Sequence, residues 1–169
     1  MTEPQRLWWR QAAADLAAFE EFRRRNGPQC HALHHLQVAT EKLTKAYLWR
    51  TGFPPPRSHA GLLTLIRLLG QLRRADRDRV AELSGFGRYA DFQAWVASAA
   101  PLARAVERLA PDLAGDGPNP EYPWPHAAPA ETPADYDFPV WAELRTPRGR
   151  NLLRFVRRAV ERFPRYADV

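Results

Sequence analysis

The sequence predicts an all-α fold, an antiparallel four- to five-helix bundle, and three observations predict it. Apolar residues recur every three or four positions before Pro111 and after Thr146, the spacing that lines one face of a helix. Glycines and prolines stand between these stretches as stops. The tract from Pro111 to Pro139 holds eight of the sixteen prolines, which excludes a regular helix. Tyr122, Trp124, Tyr136, Phe138 and Trp141 are spaced along this part of the chain, so it reads as an ordered irregular strap laid on the bundle. A chain of 169 residues suits a single domain that buries roughly 70% of its unfolded surface. Its expected parts are a helical core (1–110), a Pro-rich acidic strap (111–146) and a basic C-terminal helix (147–169).

The first helix is expected from Pro4 to Arg25, with Trp8, Ala12, Leu16, Phe19 and Phe22 inward. Arg23, Arg24 and Arg25 fall in its last turn, where cations complement the helix dipole. Asn26-Gly27 supplies a left-handed stop, and Pro28 opens a second helix to Arg50 with Leu33, Leu36, Leu43 and Tyr47 inward. Gly52 and Pro54-Pro55-Pro56 end it. Ser58 is placed to cap a third helix from His59 to Arg74, apolar on most sides and so deep in the bundle or at a subunit contact. Asp76–Leu83 reads as a short helix before the Gly85–Gly87 break. A long helix from Tyr89 to Leu109 follows, with Phe92, Trp95, Val96, Leu102, Val106 and Leu109 inward and Pro101 as a point of bending or splitting. The last helix runs from Pro147 to Phe163.

The net charge of +6 rests on arginine, since Lys42 and Lys45 are the only lysines. From Asp112 to Glu143 there are seven acids and no Lys or Arg; from Arg145 to Arg165 there are eight arginines against Glu161. On the last helix Arg150, Arg154, Arg157 and Arg158 share an arc of about 100°, opposite Leu152, Val156, Ala159, Val160 and Phe163. That face has three readings: phosphate contacts to a nucleic acid, neutralisation by the acidic strap, or ordinary solvation. Cys30 is the lone cysteine, so no intrachain disulfide can form. No signal-like run opens the chain, and no stretch approaches the ~20 apolar residues of a bilayer span. A cytoplasmic protein without a membrane partner is expected.

The most specific stretch is Cys30-His31-Ala32-Leu33-His34-His35-Leu36-Gln37-Val38-Ala39-Thr40-Glu41-Lys42-Leu43-Thr44-Lys45-Ala46-Tyr47-Leu48. It is followed by Gly52, Pro54 to Pro56, His59 and a leucine-rich helix, and preceded by Asp15-Leu16. Over about the first 70 residues this resembles the HEPN family, whose pattern reads loosely Gln-Ala-x-Glu-Lys-x-x-Lys-Ala, then glycine, a proline turn, a histidine and leucines. Gln37, Glu41, Lys42, Lys45 and His59 occupy the motif positions. Ala60-Gly61-Leu62 departs from it, because the family often has an acidic or amide residue after the histidine. The resemblance implies a dimerising helical bundle associated with RNA, in toxin or defence nucleases or as a partner of minimal nucleotidyltransferases. It also implies that catalytic members carry an arginine, often followed by asparagine, with a histidine four to six residues on.

Arg25-Asn26…His31 has that spacing but crosses the Gly27-Pro28 turn, so Arg25 and His31 are weak catalytic candidates. Arg150-Asn151 stands in the better context, near the start of a late helix, but Arg154, Phe155 and Val156 occupy the places of the histidine. His31 and His35 with Cys30 and His59 fall short of a convincing zinc set, and a histidine cluster at a helix interface is expected, with no metal and no cofactor. Glu41 and Lys45 read as a surface ion pair before an acid–base pair. Trp8, Trp9 and Trp49 read as packing residues. Glycine-rich phosphate loops, Gly-x-Ser-x-Gly and paired cysteines are absent from the sequence. The leading expectation is a dimeric RNA-associated module without the usual nuclease motif, its nucleic-acid face carried by Arg150, Arg154, Arg157 and Arg158. The alternatives are an active metal-independent endoribonuclease toxin and a non-catalytic protein-interaction module. Expected partners are a second copy, RNA, and a nucleotidyltransferase or antitoxin protein.

Overall fold

Thr2 starts the fold. Its hydroxyl accepts from the Gln5 N–H while the Gln5 side chain accepts from the Thr2 N–H at 2.8 Å, a capping box that opens α1 (Glu3–Arg24). The structure, a computed structural model, describes residues 1–59, 61–115, 117–124 and 132–167. Ala60, Asp116, the strap stretch 125–131 and the last two residues lie outside the described residues.

α1 stops where Asn26 takes the left-handed conformation (φ 52°) and the Gly27 N–H returns to Phe22 O at 2.8 Å. α2 (Gln29–Leu48) then runs back along α1. Trp8 meets Lys45, Asp15 meets Lys42 and Phe22 meets His31, a descending order that makes the pair antiparallel. A 3₁₀ turn, Trp49–Thr51, continues α2 until Gly52 breaks it at φ 79°.

The expected third helix from His59 to Arg74 is shorter. α3 spans Leu62–Leu69, and α4 (Arg74–Ser84) follows after a turn at Gly70 and Gln71. Gly61, and not Ser58, holds the N-cap position. The chain passes so close to α2 there that a methyl on Gly61 would lie 3.0 Å from Glu41 Cα and 3.1 Å from Thr44 Oγ1. Glycine cannot cap with a side chain, so the cap comes from elsewhere: Glu107 Oε1 accepts from both the Gly61 and Leu63 N–H at 2.8 Å. Leu62, Leu63, Leu65, Ile66 and Leu69 are buried, whereas Leu68 and Leu72 remain partly exposed.

α5 (Tyr89–Glu107) runs through Pro101 without a break, and its Phe92 and Trp95 pack with Phe155 of the last long helix. Val96 is only partly buried. The described strap contains two short helices, α6 (Pro111–Ala114) and α7 (Pro139–Leu144). Trp124, Phe138 and Trp141 are buried, and Tyr136 meets Trp124 and Phe138 edge-on at 5.4 and 4.9 Å. Tyr122 stays 60% exposed.

α8 (Pro147–Glu161) is capped by Thr146, and α9 (Phe163–Tyr166) ends the described chain. Trp9 fastens α8 to α1, donating to Val160 O at 2.8 Å and stacking on Phe163. α1 to α5 and α7 to α9 share one hydrophobic cluster, and among the described residues there is no strand ladder and no helix long and apolar enough to cross a membrane.

Backbone approaches a glycine most closely between α7 and α8. A methyl on Gly149 would fall 2.2 Å from Glu143 O and 2.4 Å from Leu144 Cα. Backbone cannot swing aside, so Gly149→Ala is expected to cost about 2–3 kcal/mol by chemical denaturation. Gly87→Ala enters open space and should stay within roughly 0.5 kcal/mol of the parent. Equal effects of the two substitutions would refute this packing.

Candidate functional site

On α2, Gln37, Glu41 and Lys45 recur every four residues and so share one face. Glu41 lies at the centre, its side chain 9% exposed. Lys45 Nζ donates to its Oε1 at 2.5 Å. His59 Nδ1 and Gln37 Nε2 reach its Oε2 at 3.0 and 3.2 Å. Burial opposes ionisation of Glu41, but the hydrogen bonds from Lys45, His59 and Gln37 outweigh it and hold the carboxyl below its ordinary value. The other ring nitrogen of His59 lies 3.1 Å from Asp112 Oδ2 on α6, so the imidazole is held between two carboxylates.

The Glu41–Lys45 pair is therefore no surface pair. The turn before α3 covers Glu41, and the Trp8 ring, 5.1 Å from Lys45 Nζ, covers the ammonium. Lys42 points to α1 instead, pairing with Asp15 at 2.7 Å while His35 Nδ1 approaches the same carboxylate at 3.4 Å. The structure thus gathers Gln37, Glu41, Lys45 and His59 into one network and gives Lys42 to a second one. Two members, Glu107 and Asp112, carry no local sequence signal, because they meet the site only through tertiary packing. Chemically the network is a buckle: each Glu41 oxygen is taken by a protein donor, which leaves it poorly placed to move a substrate proton.

The remaining candidates are dispersed. Arg25 pairs with Glu21, and His31 stacks on Phe22 with ring centres 5.5 Å apart; among the described residues no hydrogen bond or ion pair joins Arg25 to His31. His35 also stacks on Phe22, and its ring meets His34 edge-on. His34 Nδ1 lies 3.1 Å from Glu121 Oε1 of the strap.

On α8, Arg157 pairs with Glu20 of α1 at 2.7 Å. Arg158 and the neighbouring Arg162 donate to Ser84 O and Leu83 O, carbonyls at the C-terminus of α4, and Arg165 reaches Glu82. The Arg158 guanidinium lies over Gly85, where a methyl would meet Nη1 at 1.0 Å. Arg150 is exposed and donates to Arg145 O, and Arg154 is exposed without a hydrogen bond or ion pair among the described residues. The described strap acids turn elsewhere: Asp112 to His59, Glu121 to His34, Asp137 to Gln29 and Asp135 to Thr132, while the Glu143 carboxylate makes no hydrogen bond or ion pair among the described residues. Asp116 and Glu131 lie outside the described residues.

The buckle has a pH signature. A carboxyl whose folded pKa is depressed adds stability above the unfolded value, here 4.5, and loses it as pH falls through the folded value. Glu41→Gln should cost roughly 2 kcal/mol at pH 7, where it removes a mostly buried charge partner. The gap between parent and variant should narrow below about pH 4.5. A gap independent of pH, measured by urea unfolding, would exclude an ionised Glu41 as its source.

Comparison with protein families places a HEPN domain over residues 5–96, more than half of the chain. No curated protein and no solved structure matches it. The matched span includes the α1–α2 hairpin from Gln5 on, the Gln37, Glu41, Lys45 and His59 part of the buckle, α3 and α4, and with that coverage the chain belongs to the HEPN domain family.

Proposed function

We propose that this HEPN domain is a dimeric RNA-associated module of a toxin, defence or nucleotidyltransferase-linked system and lacks the family's usual nuclease motif. The observation that carries the reading is the composition of α8. Arg150-Asn151 begins as the motif would, yet Phe155 and Val156 are buried core residues and Arg154 is a guanidinium, which does not exchange protons near neutral pH. The four described histidines sit on α2 and the loop after it, each against a side chain of its own chain.

The RNA half of the reading rests on family membership and on the exposed guanidiniums of Arg150 and Arg154. Asn151, Arg154 and Arg158 line a cleft of about 140 Å³ with Ser84, Gly85 and Phe86, where phosphate oxygens would find donors. Arg157 and Arg158 serve the fold first. An active endoribonuclease is the alternative, favoured by the half-exposed imidazole of His59 beside the Glu41 carboxylate.

Arg150→Gln with Arg154→Gln should weaken binding of a labelled single-stranded RNA for all sequences alike. It should lower the log–log salt slope by roughly 0.7 per lost contact and leave the melting temperature unchanged. Arg158→Gln should lower stability as well. No RNA binding by the parent at low salt would leave the protein-interaction module ahead. RNA cleavage that disappears in His59→Ala would instead establish the endoribonuclease. Sedimentation equilibrium at micromolar concentration should give about twice the 19.3 kDa chain mass, and a monomer across ionic strengths would exclude the dimer.

A further inference from the structure

A cleft of about 510 Å³ opens where α2, α3 and α4 meet, at the far end of α2 from its histidines. Its lining is Arg50, Leu68, Gln71, Leu72, Arg73 and Asp76. The volume falls in the range of small-molecule sites, roughly 300–1,000 Å³. Apolar Leu68 and Leu72 contribute to one wall, and two guanidiniums, one carboxylate and one amide supply the polar groups. Among the described residues neither Arg50 nor Arg73 is joined to Asp76 or to any other acid by an ion pair, so the cleft keeps an excess of positive charge.

This lining is held in place by groups that do not belong to it. The Arg50 guanidinium lies 4.6 Å from the ring centre of Tyr47, a side chain buried in the core. Burial pushes the Tyr47 hydroxyl up, with Arg50 opposing the rise and Asp76 adding to it. The turn that carries Gln71, Leu72 and Arg73 is pinned from α5. Tyr89 Oη donates to Leu69 O at 2.8 Å and accepts from the Leu72 N–H at 3.1 Å, and Gln93 Nε2 donates to Gly70 O at 3.0 Å. Arg77 is occupied outside the cleft, donating to Leu72 O and lying over the Tyr89 ring. The backbone of this turn and the Arg50 stack are thus set before a ligand arrives, which lowers the ordering cost of binding.

We propose that this cleft binds the phosphoryl group of a phosphate ester, with Arg50 and Arg73 as the cationic donors and Leu68 and Leu72 against the body of the ligand. The guanidinium fork fits tetrahedral oxyanions, and two forks against one carboxylate leave a net positive charge that favours an anion. Asp76 and Gln71 can accept or donate to a neighbouring hydroxyl or amine. The site is built from other elements than the arginine face of α8 and stands or falls separately from it.

The test is isothermal titration of the full chain with inorganic pyrophosphate at constant ionic strength, balanced with sodium chloride. Saturable binding with one site per chain is expected. Arg50→Gln and Arg73→Gln should each weaken it at least tenfold, Asp76→Asn should tighten it, and Arg154→Gln on α8 should leave it unchanged. All four side chains are at the surface or partly exposed, and a melting curve on each variant verifies folding. A 12-nucleotide single-stranded RNA then separates the two sources of the phosphoryl group. Displacement of pyrophosphate assigns the cleft to a nucleic-acid backbone, and simultaneous binding assigns it to a small phosphate ester. No saturable binding, affinity unchanged by Arg50→Gln and Arg73→Gln, or an equal loss in Arg154→Gln would overturn the proposal.

Discussion

The rest of this structure depends on the need to satisfy one carboxylate taken out of water. Glu41 faces the turn that leads into α3, and an ionised group there must be matched by donors or the turn cannot close over it. Lys45 and Gln37 come from the same helix at the spacing of one turn, so they are available wherever α2 forms. His59 is different, because it arrives only when the proline turn after Gly52 folds back. Closing that turn seats Gly61 against Glu41 and Thr44 and aims the first N–H groups of α3 at Glu107. One buried charge thereby links α2, the loop, α3 and the end of α5.

The same solution recurs at other helix ends, with caps supplied by distant segments. α3 begins at a glycine and borrows its acceptor from Glu107; α4 ends at Leu83 and Ser84, whose carbonyls receive Arg162 and Arg158 of α8. An arginine at a helix C-terminus satisfies orphan carbonyls and the helix dipole together. This accounts for part of the arginine face of α8 without any ligand: Arg157, Arg158, Arg162 and Arg165 join α8 and α9 to α1 and α4. The strap has its own task. Asp112, Glu121 and Asp137 meet histidines and a glutamine of α2 and the following loop, while its aromatics add Trp124, Phe138 and Trp141 to the core.

These placements separate two kinds of basic group. Arg157, Arg158, Arg162 and Arg165, tied to α1 and α4, are parts of the scaffold; Arg150 and Arg154 on α8 reach solvent, and Arg50 and Arg73 line the cleft. The net charge of +6 therefore overstates the surface that a phosphate could use.

By itself the sequence determined the helical class, the α1–α2 hairpin, the inward faces of the long helices and the family, because each of these rests on local periodicity, turn residues or an ordered motif. Asn26-Gly27 and Gly52 placed their stops within a residue or two of where the backbone turns left-handed. Only the tertiary structure decided how far α3 extends, since the run of leucines from Leu62 to Leu72 continues past the point where Gly70 and the pull of Tyr89 end the helix. It likewise decided that Glu41 and Lys45 are shielded and that Glu107 and Asp112 join the motif residues. It also decided that the described strap acids leave the arginine helix alone. Sequence spacing reports which side chains share a face of one helix; which face meets a partner, and which charges lose their water, depends on segments far away along the chain.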